Sequence, residues 1–102
     1  MSPKLIQVNY NFTGTRAEFE TANLPFAPVL AELPGLRWKI WLMNEAEHLA
    51  GGLGLFADEA TTQAFINDVL LAPGGGPTIS NIVYKIFDVL EEHSAITRGP
   101  VG

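Results

Sequence analysis

Two histidines, a few aromatic residues and some strand-borne polar groups hold most of the chemistry open to this chain of 102 residues. His48 is the candidate general base, because an imidazole exchanges its proton near neutral pH. It follows a polar hairpin connection, Asn44-Glu45-Ala46-Glu47, where a histidine also serves as plain surface or subunit-seam packing. His93 lies near the end of the chain and suits a surface or inter-subunit role. Trp38 and Trp41 can each stack on a planar ligand. Their spacing on one strand puts them on opposite faces, so one can line a pocket while the other packs. Tyr84 offers a hydroxyl to a ligand oxygen, and Asn9 an amide that either orients a ligand or bonds a neighbouring side chain. Lys39 and Lys85 are charges inside strands. Because an unpaired buried ammonium is costly, both are expected to pair with carboxylates or to reach a rim.

Other chemistries are excluded or disfavoured. The chain has no cysteine, so disulfides, thiolate catalysis and zinc–cysteine sites are out. No His/Asp/Glu cluster has metal-ligand spacing, and no metal is expected. There is no Gly-x-Ser-x-Gly elbow and no dinucleotide fingerprint. The run Ala72-Pro73-Gly74-Gly75-Gly76-Pro77 follows a helix, precedes a strand and lacks a Lys-Ser/Thr ending, so it reads as a flexible loop and not as a phosphate cradle. A net charge of −5 with six Lys plus Arg gives no basic face for nucleic acid or an anionic membrane. Met1-Ser2-Pro3-Lys4 leads into an alternating strand without an apolar signal core, and no apolar run reaches the ~18 residues of a membrane span, so a cytoplasmic address is expected.

The length predicts one domain, 1–102, with 90–102 as an extended C-terminal tail. Residues 4–12 alternate as a strand, with Ile6, Val8, Tyr10 and Phe12 on one face and Gln7, Asn9 and Asn11 on the other. A helical stretch over 16–33 carries the stripe Phe26, Val29, Leu30 and Leu33, with a bend or fresh start expected near Pro25 and a stop at Pro34-Gly35. The second strand, 36–44, places Leu36, Trp38, Ile40 and Leu42 on one face and Arg37, Lys39, Trp41 and Met43 on the other. A third strand, 48–56, contains Gly51, Gly52 and Gly54, which weaken it unless something packs closely on its backbone or a bulge bends it. Asp58 caps a helix running to about Leu71, and the last strand is 79–89.

The order strand–helix–strand–strand–helix–strand predicts an α+β, ferredoxin-like fold with an antiparallel sheet. Ile82 and Ile86 face opposite to Val83 and Phe87, as Trp38 does to Trp41, so both sheet faces are apolar. Helices cover one face; a second copy of the chain is the economical cover for the other. The charged fraction, 17% against a usual ~25%, fits a surface that is partly covered.

The segment Leu33-Pro34-Gly35-Leu36-Arg37-Trp38-Lys39-Ile40-Trp41 resembles the E-P-G-φ-x-W-K-x-W stretch of the YdhR-like monooxygenases. His48 to Glu59 is similar to that group's A-G-G-φ-x-L-F-x-D hairpin strand and helix cap, and Lys85-Ile86-Phe87-Asp88-Val89 to its closing K-x-F-D-V. The opening Leu5-Ile6-Gln7-Val8-Asn9-Tyr10 fits its first strand, so the resemblance spans about 5–90 in order. Gly54 stands where members often carry an aromatic residue, and Asn9 where a histidine can occur. The group belongs to the dimeric α+β barrel superfamily, which also holds the antibiotic-biosynthesis monooxygenases. The resemblance therefore implies a homodimer with a shared barrel and a pocket in each subunit between sheet and helices. It also implies cofactor-independent oxygenation of an aromatic or polyketide-type small molecule. In such chemistry a base removes a proton and the resulting anion passes an electron to dioxygen, inside an apolar, aromatic-lined cavity. On that reading His48 is the base, while Asn9, Trp38, Trp41 and Tyr84 shape the pocket, with no cofactor. Two alternatives share the fold: a non-redox cyclase or isomerase in the same pocket, and a non-catalytic binding or scaffold dimer.

Overall fold

The computed structural model describes residues 2–71 and 79–101, and the Gly74–Gly76 loop lies outside them. Four strands, β1 (Lys4–Phe12), β2 (Leu36–Asn44), β3 (Leu49–Phe56) and β4 (Ile79–Asp88), form one antiparallel sheet in the order β2-β3-β1-β4. This is the ferredoxin-like arrangement expected from the element order. The helical layer contains α1 (Arg16–Asn23), a 3-10 turn (Leu24–Phe26), α2 (Ala27–Ala31) and α3 (Glu59–Phe65), which runs on as a π turn (Ile66–Leu70).

Local chemistry sets the boundaries. Thr15 and Glu18 form a reciprocal capping box that starts α1. The Asp58 carboxylate accepts from the backbone N–H of Thr61 at 2.8 Å and starts α3. Pro25 sits in the 3-10 turn and restarts the helix, the break expected there. That restart shifts the helical phase. Phe26 and Val29, expected inside, are exposed, and Phe19 of α1 instead packs on Phe12 and Tyr10 with ring centroids 5.3 and 6.3 Å apart.

The core lies between sheet and helices. Ile6, Val8 and Phe56 meet Phe65 and Ile66 of the α3 segment, with Leu36, Ile82 and Ile86 packed around them. Gly51 makes the close β1–β3 approach possible. Its φ of 155° favours glycine, and a Cβ there would lie 1.9 Å from the Val8 carbonyl oxygen.

Two expectations need correction. Leu36 does not share a face with Trp38: the register shifts between them, and this bulge puts Leu36 on the helix side with Lys39, Trp41 and Met43. The C-terminal segment is not simply extended. Glu91–Ile96 form α4, and the chain returns so that the Trp38 indole N–H donates to the Pro100 carbonyl at 2.7 Å. On the face away from the helices, Ile40, Val83 and Phe87 remain exposed, while Gln7 and Asn9 bond to each other among them.

Candidate functional site

Strand register lines up the helix-side residues in rows across the sheet. One row runs Lys39, Gly54, Ile6, Ile86; the next runs Trp41, Gly52, Val8, Tyr84; a third runs Met43, Ala50, Tyr10. Glycine at 52 and 54 lowers the floor between β2 and β1. Lys39 uses that room: a Cβ on Gly52 would lie 2.8 Å from its Nζ. The ammonium also lies 4.9 Å from the centroid of the Trp41 ring, a cation–π contact.

Two spaces open beside this pair. A hollow of about 10 Å³, room for about one water, lies among Ile6, Leu33, Leu36, Lys39, Gly54 and Phe65. A groove of about 490 Å³ runs between β2 and the α1–α2 segment, with Phe19, Leu24, Ala27, Trp41 and Met43 among its apolar walls. That volume is within the usual range for small-molecule sites, about 300–1,000 Å³. Arg16 and Glu20 bring charge to it and face each other at 3.6 Å.

The electrostatics single out Lys39. The ion pairs among the described residues join Lys4 to Asp88 and Arg16 to Glu20. Lys39 has no such partner among them, so the expected pairing with a carboxylate is not seen, and burial pushes its pKa down. Burial raises the Tyr10 hydroxyl in turn, since the charged form loses hydration in each case. No group of three or more His, Cys, Asp or Glu side chains among the described residues is placed to hold a metal ion.

The five residues singled out from the sequence are dispersed. Trp41 lines the groove. Trp38 is on the opposite face, tied to Pro100. Asn9 shares that opposite face and accepts from the Gln7 amide at 3.2 Å. Tyr84 is helix-side but on β4, three strand spacings or about 14 Å from Trp41 across the sheet. His48 is exposed at the end of the β2–β3 hairpin, its φ of 51° closing the 3-10 turn at Glu45–Glu47. Its ring packs at a tilt on Phe12 with centroids 5.2 Å apart, its carbonyl accepts from the Phe12 N–H at 3.0 Å, and it lines neither space. Sequence reasoning missed the α1 wall, Arg16, Phe19 and Glu20. The available signal was their i, i+3, i+4 spacing, which puts all three on one side of α1.

Residues 5–100 match the family described as "Putative mono-oxygenase ydhR". The chain belongs to this family. Among solved structures it is similar to NE2512 from Nitrosomonas europaea, a protein of unknown function, with a TM-score of 0.71, 20% identity and coverage of 88% of this chain and 91% of that one. It is also similar to SnoaB from Streptomyces nogalater, a cofactor-independent oxygenase (TM-score 0.63, 18% identity, 87% of this chain and 94% of that one). MhuD from Mycobacterium tuberculosis, a heme-degrader with two hemes bound in its active site, shares the fold with a TM-score of 0.65 and 18% identity, over 84% of this chain and 95% of that one. No curated protein matches. This YdhR-family chain thus shares the ferredoxin-like fold of these three proteins. No helix among its described residues is long and apolar enough to cross a membrane.

Proposed function

We propose that this YdhR-family protein is a cofactor-independent monooxygenase whose substrate is a planar, enolisable aromatic or polyketide-type molecule bound between α1 and β2. The observation that carries this reading is the groove of about 490 Å³ in which Trp41 of the sheet and Phe19 of α1 supply aromatic surface. Aromatic walls stack on a planar ring, and the few polar groups, Arg16 and Glu20, orient it. A solidly packed scaffold would leave no such space. The balanced reaction converts an activated CH₂ group and O₂ into a ketone and water: the substrate anion gives an electron to O₂, the two radicals join as a carbon-bound peroxide, and loss of water leaves the C=O. Haem chemistry, known for one fold neighbour, finds less support, because among the described residues Met43 is the only usual haem ligand that lines the groove.

The exposed Ile40, Val83 and Phe87 support assembly as a homodimer through the open sheet face. The test of function is oxygen uptake with dithranol, an enolisable hydroxyanthrone. The native protein should consume oxygen above the buffer rate, and Trp41→Ala should lower kcat/KM by about tenfold or more, the scale of a lost stacking contact. No uptake above buffer, or uptake indifferent to both Trp41→Ala and Phe19→Ala, would sink the proposal. Conversion that proceeds equally without oxygen would instead mark a cyclase or isomerase.

A further inference from the structure

Lys39 is a charged group on the helix side of the sheet, next to a wall of the groove, and its setting is unusual. It sits in the middle of β2 on the helix side, its register partner is Gly54, and its ammonium occupies the room that Gly52 leaves. Lys39 lines the small hollow, and its ammonium lies over the ring of Trp41, which is itself a wall of the groove. No carboxylate among the described residues pairs with it. The charged side chains on the groove, Arg16 and Glu20, are engaged with each other, and the Tyr10 hydroxyl two rows along the sheet is neutral at ordinary pH. The residues turned toward the sheet from α3 and its π turn, Thr62, Phe65 and Ile66, carry no charge.

A half-buried ammonium without a counter-ion has lost water and gained little in return. A ligand anion would repay that loss, because a charge-assisted hydrogen bond strengthens where water is excluded. We propose that Lys39 receives an anionic oxygen of the ligand, so that the site selects acidic enols and phenols in their deprotonated form over neutral molecules of the same shape. This rests on the groove being the ligand site and adds a residue role and a substrate charge state. Burial pushes the free Lys39 pKa down, and anion binding would raise it again, so the preference should fade as pH rises through the pKa of Lys39.

The experiment is equilibrium binding without oxygen, using 2-hydroxy-1,4-naphthoquinone, which is ionised at neutral pH, and its neutral 2-methoxy ether. The native protein should hold the ionised quinone about tenfold tighter or more, the worth of one charge-assisted hydrogen bond. Lys39→Met should bring the two affinities to within about twofold while leaving the ether's affinity in place, and Lys39→Arg should keep most of the preference. The visible band of the bound hydroxyquinone should stay anionic to lower pH than in free solution, in native protein and not in Lys39→Met. Should Lys39→Met fold poorly, judged by its melting curve, Lys39→Gln gives the same reading with a polar side chain. A native protein that shows no preference for the anion, including one that binds neither quinone, overturns the proposal; so does a preference that survives Lys39→Met. Since oxygen plays no part in this measurement, failure here with oxygen uptake intact removes Lys39 alone, whereas an intact anion preference without oxygen uptake removes the oxygenase reading alone.

Discussion

The two faces of the sheet are made by the same four strands, yet they have opposite characters. On the helix side, Ile6, Val8 and Phe56 are buried, Gly52 and Gly54 lower the floor, and the Lys39 ammonium, with no carboxylate partner among the described residues, sits beside an aromatic wall. On the other side, Ile40, Val83 and Phe87 lie exposed around a polar pair, Gln7 and Asn9. The helix side is finished within one chain and leaves a shaped gap. The open side is apolar and only partly closed, where Leu55 is buried and Trp38 is tied to the C-terminal segment at Pro100. Strand alternation alone could not create this contrast, because both faces carry large apolar residues; the helices decide which face becomes core.

The largest effect should come from breaking the finished face. Phe56 is fully buried and packs its ring on Phe65 at 5.3 Å. Phe56→Ala should cost about 3–5 kcal/mol, read as a lower denaturation midpoint with an unchanged slope. A loss under about 1 kcal/mol would mean that this face is not the core, since only surface positions tolerate change so cheaply.

The open face is probed by Val83→Asp. Val83 is 62% exposed in the single chain, so a chain that works alone should barely notice the change, by about 0.5 kcal/mol or less. If a second copy covers this face, the buried carboxylate should weaken the dimer by about tenfold or more. Sedimentation over a range of concentrations separates the two, and we expect native dimers that dissociate in the variant.

A smaller effect concerns the helix that closes the finished face. Hydrogen bonds from the backbone N–H and hydroxyl of Thr61 hold the Asp58 carboxyl below its ordinary pKa of 3.8. A carboxyl whose pKa is depressed by folding adds stability above its unfolded pKa, and that stability is lost as pH falls through the folded value. Asp58→Asn still caps the helix but does not titrate. The melting temperature of native protein relative to Asp58→Asn should therefore hold steady near neutral pH and drop below about pH 4. A difference that is flat into acid would show that the cap contributes nothing through its charge.

Much of the fold was legible because it depends on period and punctuation. The alternation of Ile6, Val8, Tyr10 and Phe12, the Asp58 cap and the break at Pro25 are local signals, and the observed elements follow them. What escaped depends on contacts distant in sequence. The bulge between Leu36 and Trp38 is a relation to β3, so the facing of Leu36 was misread. The short α4 has no apolar stripe to announce it, and its segment is held by Trp38, some 60 residues earlier in the chain. The candidate site was less legible still. Its glycines stood out as an oddity of β3, but the consequence, room for the Lys39 ammonium over Gly52, needs the strands paired. The α1 wall was hidden because the phase reset at Pro25 drew attention to Phe26 and Val29, which turn out to face away from the core.

His48 gives the smallest expected effect and the sharpest contrast with the groove. Its residue type made it the natural base, and its position argues for a different job. It holds a left-handed backbone conformation at the hairpin end, its carbonyl accepts from the N–H of Phe12 and the side-chain amide of Asn11, and its ring covers Phe12. Those contacts fasten the β2–β3 turn to the end of β1, and His48 itself lines neither the hollow nor the groove. His48→Asn keeps a residue that tolerates the left-handed conformation and removes the imidazole. Oxygen uptake with dithranol should then stay within about twofold of the native rate, whereas loss of a true general base costs about 10²–10⁴-fold. A fall of that size in a variant that melts normally would return His48 to the reaction.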